Sequence, residues 1–162
     1  METVIIAVGS NLGDRLEAIR KAGSFLAGLS RSEIQKASIY ESEPIGNAQF
    51  PFLNSAARIR TVLSPEELLN ELKGFEHLAG REKNPVRWGP RILDLDIIRY
   101  GDLQQKTLRL TLPHPEYFKR AFVLLPMMEI DAGWIDPELN LSLPQLLDSL
   151  PESDIQKTDH RW

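Results

Sequence analysis

Between Thr3 and Tyr100 the apolar residues change period in an order that few folds accept. Thr3 to Val8 is a short β-branched run, the pattern of a buried strand. The turn cluster Gly9-Ser10-Asn11-Leu12-Gly13 ends it, and Asp14 is placed to cap a helix over Arg15 to Leu29. Leu16, Ile19, Ala22, Phe25 and Leu26 supply that helix with one apolar stripe. Ile34 to Tyr40 alternates and predicts a second strand. Glu43 to Pro51, with Pro44, Gly46, Asn47 and Pro51, predicts a loop. Phe52 to Val62 predicts a third strand that returns along the second. Ser64-Pro65-Glu66-Glu67 is a strong helix start, and that helix runs to about Ala79 with Gly80 as its stop. Ile92 to Tyr100 predicts a fourth strand. The order β-α-β-β-α-β predicts an α+β, ferredoxin-like core: an antiparallel sheet with helices on one face.

Beyond this core, a β excursion over Thr107 to Leu112 leads to Pro113-His114-Pro115. Additional C-terminal helices are expected near Lys119 to Glu129 and Leu143 to Leu150. No repeat or linker interrupts the chain, so 1–162 is read as a single domain whose tail beyond about residue 151 is weakly specified. Such a fold hosts many functions, and function has to come from the site.

The chemistry concentrates in Arg87-Trp88-Gly89-Pro90-Arg91-Ile92-Leu93-Asp94-Leu95-Asp96-Ile97. On a strand, Asp94 and Asp96 share one face while Leu93, Leu95 and Ile97 share the other. Same-face neighbours lie about 6.6 Å apart at Cα, close enough to serve one or two Mg²⁺ ions. A pair of acids so spaced also occurs on plain solvated strands. What favours metal is the preceding segment, where Arg81, Lys83, Arg87 and Arg91 oppose one acid, Glu82. Mg²⁺ bridges carboxylates to a polyphosphate while arginines clamp the remaining oxygens. The loop at Gly9 to Gly13 opens a helix, a common anion position, but has no Walker-type spacing and serves equally as a turn with a cap. Phe52 and Asn54 share a face, suited to a flat heterocycle with a polar edge, although Phe52 and Phe122 taken singly read as core.

Composition removes competing chemistries. The chain has no cysteine, which excludes disulfides, thiolate zinc sites and a cysteine nucleophile. His77, His114 and His160 are too scattered for a multi-histidine metal centre. A net charge of −4 opposes general nucleic-acid binding, and the beginning, METVIIAVGSNLGDR, has neither the basic start nor the apolar length of a signal peptide or membrane span. The expectation is a cytoplasmic protein with small-molecule substrates, no nucleic-acid or membrane partner, and a monomeric state.

Taken together, Gly9 to Gly13, Tyr40-Glu41-Ser42-Glu43-Pro44, Phe52-Leu53-Asn54, Arg87 to Ile97, Leu112 to Pro115 and Arg120-Ala121-Phe122-Val123-Leu124 resemble the hydroxymethyl-dihydropterin pyrophosphokinase family over about the first 130 residues. The resemblance implies that Asp94 and Asp96 bind two Mg²⁺ ions with ATP as co-substrate, and that Arg81 and Arg91 act with them in catalysis. It implies Glu76, Arg81, Lys83, Arg87, Trp88, Arg91, Ile97, Arg109, Thr111, His114 and Arg120 around the nucleotide. Gly9, Ser42, Glu43, Ile45, Phe52, Asn54 and Phe122 would surround the pterin, its ring between Phe52 and Phe122. A pyrophosphoryl group would pass to the substrate hydroxyl in folate biosynthesis, leaving AMP. Three positions depart from some members: Lys83 replaces a second loop arginine, Phe52 a tyrosine, and Pro115 an aromatic.

Two other readings share the aspartates. A palm-type nucleotidyl cyclase or transferase on the same core would release pyrophosphate, and a non-catalytic sensing module would bind without turnover. The loops Glu43 to Pro51 and Arg81 to Pro90 are poor in aliphatic residues and expected to be loosely held, and the second, carrying Arg81, Lys83 and Arg87, is expected to close over bound MgATP.

Overall fold

A computed structural model describes residues 1–42, 51–80 and 92–162. Its strands are β1 (Glu2–Ser10), β2 (Gln35–Lys36), β3 (Tyr40–Ser42), β4 (Phe52–Thr61), β5 (Asp94–Tyr100), β6 (Gln105–Lys106), β7 (Thr111–Leu112) and β8 (Gln156–Lys157). The helices are α1 (Arg15–Leu29), α2 (Pro65–Leu78), α3 (Ala121–Asp131) and α4 (Leu143–Asp148), with a single 3-10 turn at Tyr117–Lys119. The main sheet runs β5-β1-β4-β3-β8 with β2 also on β4, and every pairing in it is antiparallel. The expected α+β architecture is present.

Local chemistry explains the helix starts. The Asp14 carboxylate accepts from the Glu17 amide, while Ser64 and Glu67 form a reciprocal capping box ahead of α2. On one face of β1, Val4, Ile6 and Val8 pack with Ile19, Ala22 and Leu26 of α1 and Leu68 and Leu72 of α2. On the other, Ile5 packs with Val123, Leu124 and Met127 of α3 and with Leu143 and Leu146 of α4. The core helices therefore share one face, as expected, and the additional helices cover its reverse. Each fully buried Ile or Leu contributes about 1.5–3 kcal/mol, so both layers matter to stability.

Several boundaries differ from expectation. The second strand is split, because the Ser38 amide and hydroxyl leave the ladder to donate to Glu129 on α3, at 3.0 and 2.9 Å. The Ser55 hydroxyl fills the gap, donating to the carbonyls of Ala37 and Ser38. The third helix starts at Ala121 rather than Lys119, since the 3-10 turn closes first and Arg120 is extended. The tail is far from weakly specified: β8 pairs with β3, and Trp162 packs against the main core. A register shift in β5 turns Ile98 and Arg99 together toward α3, where Arg99 meets Asp131.

Candidate active site

Strand register builds the site. Gly9 near the end of β1 lies opposite Asn54 on β4 and, on its other side, opposite Asp94 on β5. Two residues earlier, Ala7 faces Asp96 and Ala56. Facing residues share a sheet face, so small side chains on β1 floor a groove with both aspartates along one bank and the amide along the other. A Cβ at Gly9 would stand 3.0 Å from the Asn54 Oδ1, so any larger residue would press on the Asn54 amide.

Above that floor lies an open cavity bounded by Gly9, Ser42, Phe52, Asn54, Asp94, Asp96, Arg120 and Phe122 among others. The extended Arg120 preceding α3 lets both Arg120 and Phe122 reach it. Asn54 is buried, and its amide donates to the Ser42 hydroxyl at 3.2 Å. The structure thus brings together the two aspartates, Arg120, and five of the residues assigned to the pterin: Gly9, Ser42, Phe52, Asn54 and Phe122.

Other predicted residues lie around this cavity without lining it. Glu76 is fully buried on α2, and the Ile97 side chain belongs to the core on the sheet's opposite face. Arg109 donates to Asn70 and pairs with Glu66 at 3.1 Å, both on α2. Thr111 lies in β7, and His114 follows it with its amide donating to the Ile98 carbonyl. Glu43, Ile45, Arg81, Lys83, Arg87, Trp88 and Arg91 lie outside the described residues, and so does the expected loop closure.

Sequence reasoning missed Lys73. Its ammonium donates to both Glu76 oxygens, at 2.9 and 3.1 Å, and to the Leu95 carbonyl between the two aspartates, and stands 3.9 Å from Asp96 Oδ1. The spacing Lys73-x-x-Glu76 was a usable signal for an ion pair on one helix face, but its aim at β5 is tertiary. Even with this cation nearby, Asp96 is pushed up to about 7, first by burial and then by the charges of Asp94 and Glu76, against Lys73 and Arg120. Its side chain nevertheless keeps 32% of its exposure, open toward the cavity. The repulsion that Asp94 and Glu76 exert on Asp96 is of the kind a divalent cation relieves. His114 goes the other way, lowered to about 4 by burial and by Arg120, so it is neutral near pH 7. Its Nδ1 accepts from the Glu116 amide at 3.0 Å, which leaves Nε2 carrying the proton as a donor.

The comparisons decide what this geometry belongs to. The sequence model of the 7,8-dihydro-6-hydroxymethylpterin-pyrophosphokinase family matches residues 5–132. The chain belongs to that family. It is 38% identical over 147 residues to the 2-amino-4-hydroxy-6-hydroxymethyldihydropteridine pyrophosphokinase of Synechocystis sp., covering 90% of this chain and 75% of that protein. The Bacillus subtilis protein of the same name is 43% identical over 127 residues, covering 77% and 75%. A crystal structure of Plasmodium falciparum HPPK-DHPS superposes with a TM-score of 0.67 at 13% identity, over 91% of this chain and 43% of that one, and so shows the shared fold. The chain is accordingly an ATP-dependent pyrophosphokinase that acts on hydroxymethyldihydropterin in folate biosynthesis. No helix among the described residues is long and apolar enough to cross a membrane.

Proposed function

We propose that the cavity between Asp94 and Asn54 is where this pyrophosphokinase joins its two substrates, the carboxylate bank serving MgATP and the amide bank the pterin. The observation that carries this is the register: one glycine separates the residue suited to a metal from the residue suited to a heterocycle. Phe52 and Phe122 supply apolar faces for the ring. The Asn54 side chain, held by Ser42, offers its polar edge a defined hydrogen-bonding partner.

Asp94 and Asp96 would hold two Mg²⁺ ions. Among the described residues no three His, Cys, Asp or Glu side chains cluster as a metal cage, so water and phosphate oxygens would complete each shell, which suits Mg²⁺. The metal would supply charge neutralisation on the transferred group. Arg120 at the cavity and the neutral His114 would hold phosphate oxygens, a reading supported by the cavity lining and by the influence of Arg120 on His114. Arg81 and Arg91 are assigned to catalysis with the aspartates. They would join Glu76, Lys83, Arg87, Trp88, Ile97, Arg109 and Thr111 around the nucleotide, with Gly9, Glu43 and Ile45 completing the pterin side. In the reaction the substrate hydroxyl oxygen bonds to the β-phosphorus and loses its proton. The bridging α–β bond breaks toward AMP. This needs positioning and electrostatics more than a protein nucleophile.

Incubation with MgATP and the reduced pterin alcohol should yield AMP and the pterin diphosphate in equal amounts. Release of pyrophosphate instead would assign the site to nucleotidyl transfer, and binding without turnover would make it a sensing module. We further place the protein in the cytoplasm as a single-domain monomer. Sedimentation should show one species near 18.4 kDa.

A further inference from the structure

Residues 150–162 contribute more to the site than their distance along the chain suggests. Between β2 and β3 the backbone at Ala37 to Ile39 runs beside β4 with little of the ladder's own bonding. Instead, the Ile39 carbonyl accepts from both the amide and the hydroxyl of Thr158, at 2.9 and 2.8 Å. The Ala37 carbonyl accepts from the Trp162 indole at 2.8 Å and from Ser55, which lines the central cavity. The indole is fixed on its other side by α1. A Cβ at Gly23 would come within 3.2 Å of the ring, Lys36 lies 5.5 Å above it, and Arg20 donates to the Arg161 carbonyl. With β8 paired to β3, these contacts strap the short strand that carries Ser42, the partner of Asn54. Leading into the strap, Leu150 to Ile155 wall a recess that shares Ser42, Arg120 and Phe122 with the cavity.

We propose that Trp162 is a positioning residue for the pterin side of the site. Seated between Gly23 of α1 and the Ala37 carbonyl, it holds the strap that sets the place of Ser42 and the outer side of Phe122. The inference rests on the cavity's assignment to the pterin. Its consequence is selective, because the carboxylate bank lies on β5, at the opposite edge of the sheet. Trp162→Ala should raise the KM for the pterin alcohol about tenfold, while kcat at saturation and the Kd for MgATP stay within about twofold of wild type. Trp162→Phe, which keeps the ring but not the indole N–H, should recover part of the loss. Gly23→Val, which evicts the ring from the α1 side, should reproduce the pterin defect. The double variant should then be no worse than the poorer single one.

All variants are to be assayed well below their measured Tm, with hydrogen exchange followed at Ile39 to Ser42. Faster exchange there together with the selective KM change supports the proposal. Equal losses of pterin and MgATP affinity, or an unchanged pterin KM in Trp162→Ala, overturn it. Failure of the wild-type protein to bind the pterin would instead overturn the cavity's assignment, so the two failures are distinguishable.

Discussion

At Asp94 and Asp96 two carboxylates project from one strand into a cavity while Leu93, Leu95 and Ile97 anchor that strand from beneath. Neither acid supports the core, so Asp94→Ala and Asp96→Ala should fold with a Tm close to wild type. Each should lose at least about 100-fold in kcat, since the charge on the transferring group then goes unneutralised. Wild-type turnover of either variant at ordinary Mg²⁺ would remove these residues from the mechanism. Across Gly9, Asn54→Ala should weaken pterin binding by about 1–3 kcal/mol, the cost of leaving a buried polar partner unmet. Calorimetry should find MgATP affinity unchanged. Gly9→Ala should act in the same direction, because its methyl pushes the Asn54 amide off its place. These residue types and spacings were legible in the sequence. Lys73 was not, because only packing of α2 on β5 brings it to Asp96.

Among the elements, the broken second strand is the most informative. Alternation from Ile34 to Tyr40 was a sound signal for one strand, yet the segment divides where Ser38 binds Glu129. Glu129 also accepts from the Tyr40 hydroxyl at 2.5 Å, so one carboxylate on α3 fastens the strand at two of its residues. Its burial alone would raise its pKa. The hydrogen bonds from Tyr40 and Ser38 and the charge of Lys157 outweigh that, and the net shift is downward. A carboxylate whose folded pKa lies below its unfolded value stabilises the protein above that unfolded value, about 4.3 for Glu. This contribution is lost as pH falls through the folded pKa. Wild type should therefore lose stability to acid more steeply than Glu129→Gln below about pH 4.3, as read from urea midpoints across pH. Parallel profiles would show that the carboxylate contributes no folding linkage.

Over the whole molecule, one sheet is clamped between two helix layers, and a buried ion pair ties it to the second. Arg99, turned inward by the register shift in β5, makes a bidentate pair with Asp131 at 2.7 and 2.6 Å. Arg58 stands at 3.9 Å and the Trp134 ring lies 5.3 Å from the guanidinium. Asp131→Ala leaves that buried cation without its partner and should cost about 3–5 kcal/mol in urea unfolding. Replacing both members, as Arg99→Met with Asp131→Leu, should cost far less, because no charge is then left buried and unpaired. If the double variant is as unstable as the single one, the pair acts through packing rather than charge.

Period, caps and turn residues are local properties, and they were enough to give the β-α-β-β-α-β order of the core, though not the break in its second strand or β8. Side-chain alternation on a strand needs no tertiary information either, and it paired Asp94 with Asp96 and Phe52 with Asn54; Phe122, on a helix, joined them only through the family resemblance. The tertiary structure alone decided that Asp94 and Asn54 face each other across Gly9, because register is a relation between strands distant in the chain. It alone turned Ile98 and Arg99 to the same side and seated Trp162 on Gly23, where a polar tail with little periodicity gains its order from carbonyls and a glycine contributed by elements more than a hundred residues away.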